Sequence, residues 1–225
     1  MKFLNHDIKL AIFDLDGTLI SSTSVWSDID SNFFISRGMK VPEDYGESIA
    51  HVGLEEAAKI TREKYAPNET EENILNEWIT SSQKAYEEYI PLKNNVHELL
   101  ELLKEHNVHI ALATANAEEL YLPCIKRLGI EKFFEFVINP KNIKGGKSTT
   151  KIYDIVKEHF SVNDDEVVIF EDSLEPIRVA SSKYLVVGVY DKHSVKNAEE
   201  NKQYSNMYIE DFQEIIDEIN KVNQS

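Results

Sequence analysis

The sequence predicts an α/β protein: a parallel sheet covered by helices on both faces, with an all-helical segment inserted early. Three features point there. Short, almost unbroken apolar runs recur along the chain. Amphipathic stretches alternate with them, and the segment after the first run has helical spacing only. A strand buried on both faces reads as a continuous apolar run, and strand–helix alternation implies parallel crossovers.

The first run is IKLAIFDL (8–15). The alternation then stops. VWSDIDSNFFISRG (25–38), LEEAAKITREKY (54–65) and EENILNEWITSSQKAYEEYI (71–90) all repeat at helical period. This is too long for a loop joining a strand to its helix. Residues 21–90 are therefore expected to form an inserted helical domain, with 1–20 and 91–225 as the core. The insert would overhang the C-terminal end of the first strand, where open α/β sheets bind ligands.

The alternation resumes with a helix at NNVHELLELLKEH (94–106) and a strand at VHIALAT (108–114). The helix AEELYLPCIKRLG (117–129) ends at Gly129, a residue suited to a left-handed C-cap. FEFVIN (134–139), EVVIFED (166–172) and LVVGVY (185–190) read as further strands, and STTKIYDIVKEHF (148–160) as a helix. An acidic helix with a solvated face is expected at about 210–223.

Composition narrows the function. Of 225 residues, 42% are hydrophobic and 28% charged, the balance of a folded globular chain. The formal net charge of −16 opposes nucleic acid or an anionic membrane as partner. The single cysteine, Cys124, rules out an internal disulfide and cannot alone build a cysteine zinc site; a buried structural thiol is expected. MKFLNHDIKL lacks a long apolar core and carries Asp7, so it makes a poor signal peptide. No run reaches membrane-spanning length. A cytoplasmic protein is expected.

The chemistry concentrates in LAIFDLDGTLI (10–20). Asp14 and Asp16 close an apolar strand and, by the period of two, point the same way while Leu15 turns back. Gly17 permits a tight turn and Thr18 offers a hydroxyl. One aspartate before glycine is an ordinary turn; two after an apolar run are not. A second acidic pair, Glu171 and Asp172, closes VVIFED. Helix capping by Asp172 or Ser173, with Pro176 in the first turn, accounts for one side chain but not both carboxylates. Parallel strands would bring all four acids to one edge, where like charges raise each other's pKa. A divalent cation with oxygen ligands, Mg²⁺ by its chemistry, relieves that conflict. Thr114 ends another strand, and its hydroxyl and nearby N–H groups suit a phosphoryl oxygen. Lys147, after two glycines, suits an electrostatic clamp. Taken alone, Thr114 reads as a cap and Lys147 as a solvated loop lysine.

In this order, DLDGT at 14–18, Thr114, Lys147 and EDS at 171–173, the sequence resembles the phosphatase branch of the haloacid dehalogenase superfamily, over essentially its whole length. The helical insert resembles the small cap of the class that includes β-phosphoglucomutase-like and phosphoglycolate phosphatase-like proteins. The resemblance implies a Rossmann-like core. It implies Asp14 as the nucleophile that forms an aspartyl-phosphate, and Asp16 as general acid and then base. Thr114 and Lys147 would hold the transferring group. Asp14, the Asp16 carbonyl and Asp172, with Glu171 close by, would hold Mg²⁺. The dehalogenases of the superfamily lack the second aspartate and need no metal.

Some positions depart from the family pattern. Trp26 stands where many members have a histidine that mutases use. Ser21 and Ser22 replace an acidic residue followed by Ser or Thr. Ser148 replaces a common proline, and Pro176 a common glycine. The turn AHVGLEE (50–56) resembles the substrate-facing loop of similar caps, which makes His51 and Gly53 substrate-binding candidates, with Trp26 and Asn116. Read alone, His51 is a helix-end or packed histidine, and Trp26 is cap core or a platform for a sugar or base. The expected activity is Mg²⁺-dependent removal of phosphate from a small phosphorylated metabolite such as a sugar phosphate, nucleotide or phosphoglycolate-like acid. The alternatives are a phosphosugar mutase, against which Trp26 counts, and a non-catalytic metabolite-binding protein.

Overall fold

The computed structural model describes residues 1–49, 54–192 and 195–223. In chain order it runs β1 (Lys2–Phe3), β2 (His6–Asp7), β3 (Leu10–Phe13), α1 (Thr23–Ile35), α2 (Tyr45–Ile49), α3 (Leu54–Lys64), α4 (Glu71–Glu88) and α5 (Val96–Glu105). It continues with β4 (His109–Ala113), α6 (Glu118–Arg127), β5 (Phe136–Ile138), α7 (Lys151–Phe160), β6 (Val167–Glu171) and α8 (Leu174–Ala180). β7 (Leu185–Val189), α9 (Ala198–Tyr204), β8 (Met207–Ile209) and α10 (Gln213–Asn223) complete it. The chain divides into two compact units, Met1–Thr23 with Ile90–Ser225, and Ser24–Tyr89.

The larger unit is a six-stranded parallel sheet of order β5-β4-β3-β6-β7-β8. β3 lies between β4 and β6, so the winding reverses beside it. That reversal opens a crevice at the carboxyl ends of the strands. The apolar runs are continuous because helices cover both faces. Leu10, Ile12, Ala111, Ala113, Val167 and Ile169 pack with the buried residues of α7 and α8. On the other side the Phe13 and Phe170 rings stack with centroids 4.3 Å apart, and Phe212 lies beside Phe170. α10 buries Ile215 and Ile219 and packs against α5 and β1 while its acidic residues face outward. Gly129, at φ +70°, follows α6 as expected. Cys124 is fully buried, and burial pushes its thiol pKa up to about 11, which suits an inert structural thiol.

Several elements go beyond the sequence reading, among them the short helices α2 and α9. β1 and β2 form an antiparallel hairpin turned by Leu4 and Asn5, both at positive φ. β8 adds a sixth strand at the sheet edge.

The smaller unit has helices joined by turns and, among its described residues, no strand. Aromatic rings fill its interior edge-to-face: Phe33 against Trp78, and Phe34 against Tyr45. Among the described residues no helix is long and apolar enough to cross a membrane. Within the larger unit, the departing and returning segments lie side by side. Ser21 N–H donates to the Pro91 carbonyl at 3.0 Å, Lys93 N–H to the Leu19 carbonyl at 2.9 Å, and Ile20 bridges Leu92.

Candidate active site

Two neighbouring parallel strands end in acids. Asp14 follows the last residue of β3, and its N–H donates to the Phe170 carbonyl at 3.0 Å, extending the ladder one step. Glu171 is the last residue of β6, and Asp172 is next. Leu15 turns into the core and is fully buried. The chain bends at Gly17, whose φ is +81°. A Cβ there would stand 2.6 Å from Asp172 Oδ2, so only glycine lets the carboxylate and the turn approach this closely. Thr18 Oγ1 donates to Asp172 Oδ1 at 3.4 Å.

Carboxylate oxygens of Asp14, Glu171 and Asp172 lie within 4.8 Å of one another, and all three residues are buried. Lys147 comes up from the turn before α7. Its ammonium donates to Asp14 Oδ1 and, at 2.8 Å, to Glu171 Oε2. The other Glu171 oxygen accepts the N–H groups of Asp172 and Ser173, each at 3.2 Å. Burial and then the Glu171 charge raise the Asp14 carboxyl to about 7, against the pull of Lys147. Burial likewise raises Glu171, with Lys147 opposing. Burial alone would lower Lys147, but the two carboxylates outweigh it and hold the ammonium well above its ordinary range. Three carboxylates share one ammonium, so the lysine alone does not balance their charge. An all-oxygen donor set carrying that charge fits a hard divalent cation.

Asp16 lies on the same edge and is held from two sides. Ser22 Oγ donates to its Oδ1 at 2.6 Å, and Asn116 Nδ2 donates to its Oδ2. Thr114 is fully buried at the end of β4. Its N–H donates to the Ile138 carbonyl at 3.1 Å, and its Oγ1 accepts the Asn116 N–H at 3.1 Å. Asn139 Nδ2 donates to the Asn116 carbonyl at 2.7 Å, which fixes the loop after β4.

The larger unit thus brings Asp14, Lys147, Glu171 and Asp172 together through direct bonds or shared ligand distance. Asp16 and Asn116 are bonded to each other, and the Asp16 charge also acts on Asp14. Thr114 joins them through Asn116. Asn116, a substrate candidate from the sequence, has its side chain engaged with Asp16. Trp26 belongs to the smaller unit, on α1, and is 37% exposed. His51 and Gly53 lie outside the described residues. Some contacts escaped the sequence reading. Ser22, noted there only as a departure from a family pattern, grips Asp16. Asn201, fully buried, donates from Nδ2 to the Asp172 carbonyl at 2.8 Å.

An acidic cluster with one buried lysine, at the carboxyl edge of a doubly wound parallel sheet, is suited to phosphoryl transfer. The family model for haloacid dehalogenase-like hydrolases matches residues 11–189, and the chain belongs to that family. A phosphorylated carbohydrates phosphatase from Thermotoga maritima is 28% identical over 175 residues, covering 78% of this chain and 81% of the relative. A phosphoglycolate phosphatase from Thiobacillus denitrificans is 25% identical over 186 residues, covering 80% and 82%. Among solved structures, a Thermotoga maritima protein assigned as a beta-phosphoglucomutase superposes with a TM-score of 0.79 at 25% identity. That match covers 96% of this chain and all of the other. Family and relatives together make this chain an enzyme of the phosphatase branch.

Proposed function

We propose that the protein is a Mg²⁺-dependent phosphomonoesterase acting on a small phosphorylated metabolite in the cytoplasm. The observation that carries this reading is the Lys147 ammonium shared between Asp14 and Glu171 beside Asp172. Asp14, Glu171 and Asp172, with the Asp16 carbonyl, are the residues assigned to the metal. When bound, Mg²⁺ supplies charge neutralisation for the phosphoryl oxygens.

In the first step an Asp14 carboxylate oxygen attacks phosphorus. The ester P–O bond breaks, and the leaving oxygen takes a proton from Asp16. This leaves an aspartyl-phosphate on Asp14. In the second step Asp16 takes a proton from water, whose oxygen attacks phosphorus. The bond to Asp14 breaks and inorganic phosphate leaves. Lys147 and Thr114 orient the group in transfer, and Ser22 with Asn116 hold the Asp16 carboxylate for both proton moves. Substrate choice is assigned to the helical unit, where Trp26, His51 and Gly53 are the candidates. A sugar phosphate is the favoured class, in keeping with the relative named a phosphorylated carbohydrates phosphatase.

The test is phosphate release from p-nitrophenyl phosphate and from a metabolite panel. Turnover should require Mg²⁺, stop with EDTA and be lost in Asp14→Asn. Turnover unchanged in Asp14→Asn would refute the assigned nucleophile. The likeness to an assigned beta-phosphoglucomutase supports a second reading, a phosphosugar mutase. It predicts net isomerisation with a bisphosphate activator and little phosphate release. Tight metabolite binding with no turnover in Mg²⁺ would instead indicate a binding protein.

A further inference from the structure

We propose that Lys93 is a tethered cation in an oxygen cage that holds the turn after Asp16, making it a positioning residue for the acid–base carboxylate; this rests on the phosphatase reading above. The Lys93 side chain is 14% exposed. Its Nζ meets three acceptors: the Gly17 carbonyl, the Tyr190 carbonyl at 2.6 Å and Asp191 Oδ2 at 3.4 Å. An ammonium has three donors and no acceptor, so it satisfies all three oxygens, whereas a neutral amine would turn its lone pair on one of them. Two main-chain carbonyls and a carboxylate are also the donor set of a small monovalent cation.

The cage sits where the chemistry needs rigidity. Gly17 directly follows Asp16. Its N–H donates to the Ile20 carbonyl at 3.0 Å and its carbonyl accepts from Lys93, so both polar groups of this positive-φ residue are fixed. Lys93 is itself held by its N–H on Leu19. The other Asp191 oxygen accepts Thr23 Oγ1 at 2.8 Å. The ring of contacts therefore closes around residues 17–23, the stretch that contains Ser22, the hydroxyl bonded to Asp16. Burying a lysine here carries a desolvation cost that an apolar side chain would avoid. The charge-assisted bond to Gly17 is what an apolar side chain could not supply.

The test compares Lys93→Ala, Lys93→Met and wild type on p-nitrophenyl phosphate with Mg²⁺, in choline, potassium and ammonium chlorides. Loss of registration should lower kcat of Lys93→Ala roughly 10- to 100-fold with KM unchanged. Ammonium or potassium should restore part of kcat and raise the melting temperature of this variant, because alanine leaves the acceptors in place with room for a cation. Lys93→Met, which fills the space without donors, should lose the same kcat and show no cation response. Full kcat in Lys93→Ala, or a loss indifferent to the cations, overturns the proposal. The cation-dependent melting shift reads the cage whether or not the enzyme hydrolyses phosphate esters, so an inactive wild type overturns the phosphatase reading alone. Should Lys93→Ala not fold, Asp191→Asn decides the matter: a kcat loss at unchanged KM supports the cage, and full activity overturns it.

Discussion

The Lys147 ammonium bonds Asp14 and, at 2.8 Å, Glu171, so one cation joins the ends of β3 and β6. Removing it leaves two buried carboxylates facing each other without that partner. Lys147→Met should lower kcat about 10²- to 10³-fold, the usual loss when one preorganised charge leaves a transition state. It should also cost about 3 kcal/mol of stability, because a buried ion pair that loses one member leaves an uncompensated charge. Steady-state turnover and urea unfolding measure the two effects. A variant that keeps wild-type kcat would remove Lys147 from the chemistry.

Gly17 governs how closely the turn approaches Asp172. In Gly17→Ala the new methyl would lie 2.6 Å from Asp172 Oδ2 at a φ of +81°, so the carboxylate must move and the backbone is strained by about 1–3 kcal/mol. Metal binding should suffer first. In wild type, Mg²⁺ at a hundredfold excess over its dissociation constant should add about 2.7 kcal/mol of stability by mass action. In Gly17→Ala, and in Asp172→Asn, the Mg²⁺-dependent rise in melting temperature should shrink or vanish. An undiminished rise in both variants would place the metal elsewhere.

The sheet was legible in the sequence because it is buried on both faces: LAIF and VVIFE have no polar alternation to confuse the period. β8 was not, because Met207 and Tyr208 on the outer edge are only part-buried and the strand is three residues long. The hairpin escaped because Leu4 and Asn5 make its turn without the usual glycine. α7 begins at Lys151, past the predicted Ser148, because Gly146–Ser148 forms a separate short turn. At the site, the acids were legible because so many carboxylates closing apolar runs have no ordinary packing role; Lys147, a solvated loop lysine when read alone, became legible only beside those four carboxylates. Ser22, Lys93 and Asn201 were not, because a hydroxyl, a loop lysine and a helix asparagine look the same in sequence whether or not the fold brings them to a carboxylate or carbonyl.

Tyr153 provides a control on the neighbourhood of the cluster. Its hydroxyl is buried without a hydrogen-bond partner, and burial followed by the charge of Glu171 raises its pKa. A buried hydroxyl with no partner costs about 1–3 kcal/mol of desolvation. Tyr153→Phe should therefore unfold at equal or higher urea concentration than wild type, with turnover retained. A large fall in kcat would show that the hydroxyl finds a partner during the reaction.

Asp30, on α1 in the helical unit, gives a pH signature well separated from the acidic cluster in sequence. Burial raises its carboxyl to about 6 from an ordinary 3.8, while the Tyr45 hydroxyl, donating at 3.4 Å, pulls the other way. In the unfolded chain this group ionises first, so between about pH 4 and 6 the folded state binds more protons. The contribution of Asp30 to stability is therefore most favourable below the unfolded pKa and is lost as pH rises toward 6. Asp30→Asn keeps an acceptor for Tyr45 and removes the ionisation. It should be more stable than wild type at pH 7 by on the order of 1 kcal/mol, allowing for the solvent that reaches this half-buried group. The difference should close near pH 4. Denaturant unfolding of both proteins at the two pH values measures it, and a gap of equal size at both would show that burial does not hold the Asp30 proton.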